Sequence, residues 1–458
     1  MKRVIAGALS LGALVMAALP AVAQDNKTLT VWFSKGFYRS EDESLWATIK
    51  KFEQKTGIKV ELSQYAIQDM IPKTVAALDS GSPPDVGYSD TYNNQAAGKW
   101  AFEGKLEDLT DVLQPMMPRF APQTVEHVLL MNGQTGKKAY YGFPLKRQTL
   151  HTEIWGDMLE KAGFKQSDIP QKWSDYWAFW CDKVQPAYRK ATSSRVYGIG
   201  RPMGVGSTDS FQSFMSWVDA YNVKLVDESG KLLVEDPKVR DGLIAALRDY
   251  TDVYAKGCSP PSSTGWKDGD GAVAFNDRTT IMTHDYSIAI AAKWLDDANN
   301  PRLTPAERAA GRKAYDELIA TAGLPKKPDG TPIVYRTVVK VGVIFRESKN
   351  KTRAREFLKV LLEEENLRPY VEAALGRGFP VTRAGQESPF WQADKHRRTV
   401  YDQFKTSPQP SESGKNWKFA LLDAENVWVK AMNRVVTDKV SVEKAVDELI
   451  ARIKEVAR

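Results

Sequence analysis

Apolar and polar residues change their period several times between residues 29 and 90. Leu29-Thr30-Val31-Trp32-Phe33 is a short run of bulky and β-branched residues that predicts a strand. Leu45, Ile49 and Phe52 then recur at i, i+4 and i+7, the apolar stripe of a helix. Gly57 stands just past that stripe, where a left-handed cap costs little. Ile58, Val60 and Leu62 alternate with polar residues and predict a second strand. A second helix is expected around Met70 to Leu78, closing at Ser80-Gly81-Ser82-Pro83-Pro84, and a third strand starts at Asp85-Val86. Strands alternating with helices imply an α/β fold with a parallel sheet. Ligands of such sheets bind at the carboxyl ends of the strands, which makes the loops after Phe33 and Val86 candidate ligand loops.

From about Trp155 to Leu324 the pattern is helical and rich in aromatic residues. Trp173, Trp177, Phe179 and Trp180 crowd one segment and are expected in a core. Asn299-Asn300-Pro301 and the stretch from Pro325 to Pro332 read as surface loops. Val338 to Phe345 predicts a strand, Arg353 to Leu362 a helix, and Trp417 to Val456 two amphipathic helices. No internal repeat or low-complexity segment interrupts the chain.

The first 23 residues read differently. Lys2 and Arg3 precede an apolar stretch from Val4 to Leu19, and Ala21-Val22-Ala23 supplies a small-residue cleavage pattern before Gln24. That is an export leader, and the expected mature chain is periplasmic. Its apolar part is short of the roughly 20 residues of a membrane helix, and no Cys at the junction marks a lipid anchor. Removing 1–23 from 458 residues leaves 435, enough for two or three domains. Net charge falls from +7 to +5 with the leader. Basic and acidic residues interleave, and the longest basic run, which contains His396-Arg397-Arg398, is short. This is a solvated surface and not a nucleic-acid stripe. Cys181 and Cys258 are a bridge or two buried thiols, and both remain open at this level, because a bridge requires Cα atoms within about 7 Å.

Positive signs of catalysis are missing. There is no serine-nucleophile elbow, zinc motif or phosphate loop. Gly198-Ile199-Gly200 with Gly204 misses the dinucleotide spacing, and Pro202 argues against a helix opening there. Asp268-Gly269-Asp270-Gly271 begins like a calcium loop, but Ala272 and Thr279 stand where oxygen ligands belong, so a tight turn is expected. His127, His151, His284 and His396 lack metal-ligand spacing. Neither a metal nor a cofactor is expected.

Several segments, in order, resemble the extracellular sugar-binding proteins of ATP-driven importers, the maltose-binding-protein type. They are Leu29–Tyr38, Lys50–Leu62, Ser80–Asp90, Tyr141–Leu145, Glu153–Phe164, Ala274–Met282, Lys349–Asn366 and Gly376–Arg383. The resemblance spans nearly the whole mature chain. It implies a two-lobed periplasmic binding protein fold with ligand in the cleft between the lobes. Lobe one would be 24–145 plus 342–384 and lobe two 146–341 plus 385–458. It also implies hinge closure on a carbohydrate, delivery to ABC permease subunits, and a monomer.

A sugar has apolar C–H faces and a rim of hydroxyls, so its site pairs aromatic platforms with charged or amide groups. The resemblance points to Lys35 after the first strand and to Tyr88, Asp90 and Tyr92 after the third. It points further to Trp266 and Asp268 in a Gly-rich loop, to His284, Asp285 and Tyr286, and to Arg377 and Phe379 at the last crossing. His151-Thr152 replaces the family's usual Tyr-Asn pair, and His151 is a candidate there. Lys146-Arg147-Gln148 stands where maltose binders place an acid, so Lys146 and Arg147 point to an acidic ligand such as a uronate. Two other classes compete: a secreted carbohydrate-active enzyme working through a carboxylate pair, and the same fold with a polyamine, iron or phosphorylated cargo.

Overall fold

The structure is a computed structural model that describes residues 28–405 and 412–457. The expected leader, 1–23, lies outside the described residues. Twelve strands are described: β1 (Thr28–Ser34), β2 (Lys59–Tyr65), β3 (Val86–Ser89), β4 (Leu129–Asn132), β5 (Lys137–Tyr140), β6 (Phe143–Gln148), β7 (His151–Trp155), β8 (Tyr197–Gly200), β9 (Thr280–Asp285), β10 (Ile319–Ala322), β11 (Val338–Ile344) and β12 (Phe379–Pro380).

The opening follows the periodicity. β1 is joined to β2 by helix α1 (Arg39–Thr56), whose buried face carries Leu45, Ile49 and Phe52, and Gly57 takes φ 71 at its end. Helix α2 (Ile67–Asp79) then leads to β3. β1 pairs in parallel with both β2 and β3. The six-stranded sheet runs β12-β6-β11-β3-β1-β2, and its far half is antiparallel. A second sheet runs β10-β7-β9-β8 and is parallel only between β8 and β9.

Two hydrophobic cores match the two sheets. One holds Phe33, Phe52, Phe357 and Trp391, and the other Trp155, Trp180, Trp217 and Trp428. This is the two-lobed α/β architecture. The expected crossings need moving. Those after 145 and 341 fall inside β6 and β11, whose pairing in the first sheet runs on to Gln148 and starts at Val338. The chain therefore changes lobes at Thr149-Leu150 and between β10 and β11. Beyond the third expected crossing, after 384, Trp391 and Val400 pack in the first core while His396 bonds Thr321 and the Tyr315 carbonyl of the second lobe, and Phe419 belongs to the second core.

Trp173, Trp177, Phe179 and Trp180 are all buried. Cys181 and Cys258 are bridged, with Cα atoms 5.2 Å apart. A Cβ on Gly198 would meet the Trp180 carbonyl oxygen at 2.5 Å and Cys258 Sγ at 3.0 Å, so this glycine serves packing around the bridge. The C-terminal segment differs from expectation. It forms three helices, Phe419–Glu425, Val427–Val436 and Val442–Ala457, because Asn426 adopts a left-handed conformation at φ 54 and breaks the first stripe.

Candidate ligand site between the lobes

At the carboxyl end of the first sheet five charged side chains meet. Successive residues of a strand face opposite sides, so β6 sends Lys146 to one face and Arg147 to the other. Lys146 Nζ lies 3.3 Å from both Glu41 Oε2 and Asp90 Oδ1. Arg377 donates to Asp90 Oδ2 at 2.8 Å and reaches Glu41 Oε2 at 3.3 Å. Lys340 of β11 donates to the Asp90 carbonyl at 2.8 Å, and the Tyr88 hydroxyl donates to Asp90 Oδ1. Gly378 leaves room for the Lys146 stem, since a Cβ there would come 2.6 Å from its Cδ.

Burial by itself would raise both carboxyls. The cations outweigh it, Lys146, Arg377 and Lys340 at Asp90 and Arg377 and Lys146 at Glu41, and hold both below the usual carboxylate range. Burial draws the Lys340 ammonium down to about 8, against the pull of Asp90. Glu41 has a second task. Its Oε1 accepts from the Phe37 and Tyr38 backbone N–H groups and so caps the start of α1.

The second lobe presents carboxylates. Asp268 Oδ1 accepts from Ser207 Oγ at 2.9 Å and from the Asp209 N–H at 3.1 Å, and Asp209 Oδ2 accepts from Gly269 N–H at 2.9 Å. Asp285, at the end of β9, accepts from Ser287. Burial, then Asp268 and Asp285, push the Asp209 carboxyl up, and burial does the same to Asp285. Arg377 and Lys340 act on these acids from the opposite lobe. The lobes touch where Tyr38 donates to the Ala289 carbonyl at 2.8 Å and where Gln95 meets Thr208 at 3.3 Å. Between them lies a cavity of about 20 Å³ lined in part by Asn94, His127, Gln212 and Arg336. Asn94 Nδ2 and Gln212 Nε2 are buried there without a hydrogen-bond partner.

Two lobes that meet across polar and charged side chains are the architecture of a binder that closes on a small molecule. The sequence profile of the bacterial extracellular solute-binding proteins matches residues 47–399. The chain belongs to this family. As a solute-binding protein it is a binder and not an enzyme, which removes the carbohydrate-active enzyme from the readings. An arabinooligosaccharide-binding protein of Bacillus subtilis (strain 168) is 28% identical over 155 residues, 33% of this chain and 31% of that relative's length. An ABC transporter solute binding protein from Thermotoga lettingae TMO, bound with alpha-D-tagatose, shares the fold at 20% identity and a TM-score of 0.73, with 94% of this chain and 99% of that one covered. The maltose-bound MalE3 of T. maritima does so at 19% identity and 0.70, covering 93% and 99%. No helix among the described residues is long and apolar enough to cross a membrane.

The solute-binding protein brings some of the expected residues together and sets others apart. Tyr88, Asp90, Lys146 and Arg377 share the cluster in lobe one, and Asp268 and Asp285 lie on the facing lobe. Lys35 is exposed beyond β1, and His151 pairs with Asp285 across β7 and β9. Burial lowers His151 to about 4. Four candidates sit in cores instead. Tyr92 bonds Thr74 at 2.6 Å and packs on Trp100. His284 lies against Trp217 and Trp177, and burial holds it well below its usual value. Phe379 stacks on Phe404. Arg147 turns away from the cleft, donates to the Pro380 carbonyl and lies over Phe379 and Phe404.

Lys146 is engaged by Glu41 and Asp90 and Arg147 faces a core, so neither side chain is held free for an acidic ligand. Tyr286 bonds Ser216 at 2.8 Å, and Trp266 donates to Ser262. The Asp268 segment is the expected turn, with Gly269 at φ 87 opening a helix. Glu41, Lys340 and Asp209 were missed.

Gly204 fixes the loop that carries Trp266 and Asp268. A Cβ there would stand 1.9 Å from the Trp266 carbonyl oxygen, which is backbone and cannot rotate aside. Gly204→Ala is expected to lower the melting temperature and to weaken binding of any cleft ligand by about tenfold or more, a misplacement cost of roughly 1–3 kcal/mol. Unchanged affinity by calorimetry would remove the Trp266–Asp268 loop from the site.

Proposed function

We propose that this protein captures a carbohydrate in the cleft by hinge closure and hands it to the ABC permease of an importer. The observation that carries the reading is the pairing of charges across the lobes, with Lys340 and Arg377 of the first acting on Asp209 and Asp285 of the second. In a separate small cavity between the lobes, unpartnered amide donors on Asn94 and Gln212 await acceptors. Hydroxyl-rich ligands satisfy such groups, and an unmet buried donor costs about 1–3 kcal/mol. Sugars are bound by relatives and fold neighbours, which supports the same class here. The leader pattern supports a periplasmic mature chain, and membership of the family supports a monomer.

A thermal-shift screen of the mature protein against sugars, polyols, uronates and polyamines tests this. A ligand that binds only the folded state adds about 2.7 kcal/mol at a hundred times its Kd. A narrow sugar or polyol response is expected, with the ligand recovered unchanged. Silence across every hydroxyl-bearing probe would sink the reading. Deleting the cognate permease is expected to abolish uptake of the identified ligand.

A further inference from the structure

Three side chains at the last connection between the lobes form a buried chain of hydrogen bonds. Glu153 of β7 and Thr321 of β10 are cross-strand partners in the second sheet, and residues directly opposite in an antiparallel pair project from the same face. Thr321 Oγ1 lies 2.8 Å from Glu153 Oε2 and 2.7 Å from His396 Nδ1. The other ring nitrogen of His396, Nε2, lies 2.8 Å from the Tyr315 carbonyl oxygen. Glu153 and His396 are both fully buried. His396 stands in the first turn of the helix Lys395–Gln403, and Val400, a turn further on, packs in the first core. The chain of contacts therefore ties the sheet of lobe two to a helix anchored in lobe one.

The hydrogens in this chain can be counted. A carbonyl oxygen only accepts, so His396 Nε2 carries a hydrogen. The two contacts at Thr321 Oγ1 need two hydrogens, and the hydroxyl supplies one. The other sits on Glu153 Oε2 beside a neutral imidazole, or on His396 Nδ1 as an imidazolium facing a carboxylate. The surroundings choose the first arrangement. Glu153 Oε1 is buried without a hydrogen-bond partner, and among the described residues no cation forms an ion pair with this side chain. An unmet buried carboxylate oxygen costs far more than the carbonyl oxygen of a neutral acid.

The neighbouring charges agree. Burial drives the Glu153 carboxyl well above its usual range, Thr321 and Lys395 resist, and Asp285 of β9 adds to the rise. Burial draws His396 down to about 4, with Lys395 reinforcing it and the Tyr315 carbonyl, Asp394 and Asp316 opposing. His151, the other titratable side chain of β7 near His396, is itself lowered by burial.

We propose that Glu153 is kept as a neutral carboxylic acid whose proton completes the Glu153–Thr321–His396 chain, and that losing this proton as pH rises frees the crossing helix from lobe two. In the neutral state Glu153 donates to Thr321 and Thr321 donates to His396 Nδ1. An ionised Glu153 would claim the Thr321 hydrogen and leave His396 Nδ1 without one.

Urea unfolding of the mature wild type and of Glu153→Gln, without ligand, tests this from about pH 5 to about pH 9, above the unfolded glutamate pKa of about 4.3. The glutamine amide donates to Thr321 as the acid does and cannot ionise. A folded value raised above the unfolded one means that the unfolded chain releases its proton first, so stability is lost as pH rises. Relative to the variant, the wild-type folding constant is expected to fall about tenfold per pH unit for as long as the folded chain keeps the proton. A ratio that stays constant with pH would mean that Glu153 is already ionised and would overturn the proposal. Should the variant fail to fold, nitrogen NMR of wild type at neutral pH decides: His396 is expected as a neutral imidazole with its hydrogen on Nε2, and an imidazolium would overturn the neutral pair.

Hydrogen exchange reads the tie itself. With the intrinsic exchange rate divided out, protection of the helix Lys395–Gln403 should fall with pH in wild type and hold in Glu153→Gln. Protection that falls equally in both, or in neither, would overturn the release of the helix.

Discussion

Arg377→Met is expected to cost about 3–5 kcal/mol of folding stability at neutral pH, the usual loss when one member of a buried ion network is removed. Among the described residues Arg377 is the only guanidinium that donates to both Glu41 and Asp90, and all three are nearly fully buried. Without it, two carboxylates share Lys146 and the more distant Lys340. The pH dependence identifies the cause. Both carboxyls are held below their unfolded values. Their contribution is therefore complete above the unfolded carboxylate pKa of about 4 and is lost as pH falls through the lower folded values. The gap between wild type and variant should narrow as pH falls below about 4. Urea unfolding at neutral and acid pH reads this directly. A gap that stays constant with pH would assign the loss to packing over Phe37 and not to the carboxylates.

The same cluster shows what the sequence could and could not tell. Asp90 and Arg377 were legible because each follows a recognisable strand or crossing. Lys146 was legible as a charge in the wrong place for a maltose binder, but its partners Glu41 and Asp90 were not. Strand alternation already places Lys146 and Arg147 on opposite faces, and nothing local says which face meets Glu41, 105 residues earlier. Glu41 itself reads as a helix cap three residues after Tyr38, and that is also true. Lys340 carried a usable signal, a lone cation in Val338-Val339-Lys340-Val341-Gly342-Val343. A Lys in a fully buried strand needs a partner.

In lobe two the failures come from tertiary contacts that leave no local pattern. His284 and Asp285 are neighbours on β9, and alternation sends one into the tryptophans and the other toward the cleft. Knowing that Asp285 faces out fixes His284 as core, but the sequence gives no parity on its own. Asp209 stands second on a helix, where an acid is ordinary, and only its approach to Gly269 brings it to the site. Lobe boundaries slipped for a related reason. β6 is a strand of lobe one that leads directly into lobe two, and β11 is the strand by which the chain returns, so the apolar periodicity of each strand does not mark the crossing beside it.

Loss of the Cys181–Cys258 bridge is the other large effect expected. The bridge closes a loop of 77 residues, and chain-entropy reasoning gives about 4 kcal/mol for a loop of that length, within the 2–5 kcal/mol typical of a native bridge. The loop spans β8 and the helices Thr208–Ala220 and Pro237–Ala255, which carry Asp209, Gln212 and much of the second core. The Cys181→Ala/Cys258→Ala double variant should therefore melt at a lower temperature. It should also bind less tightly, because the unbridged lobe must be ordered around the ligand. Reductant should reproduce the melting shift in wild type and leave the double variant unmoved. The first lobe gives the control. Its core contains neither cysteine, so hydrogen exchange of β1, β2 and β3 should stay slow while β8 and its neighbours speed up. Equal loss of protection in both lobes would mean that the lobes unfold as one unit and that the bridge stabilises the whole chain.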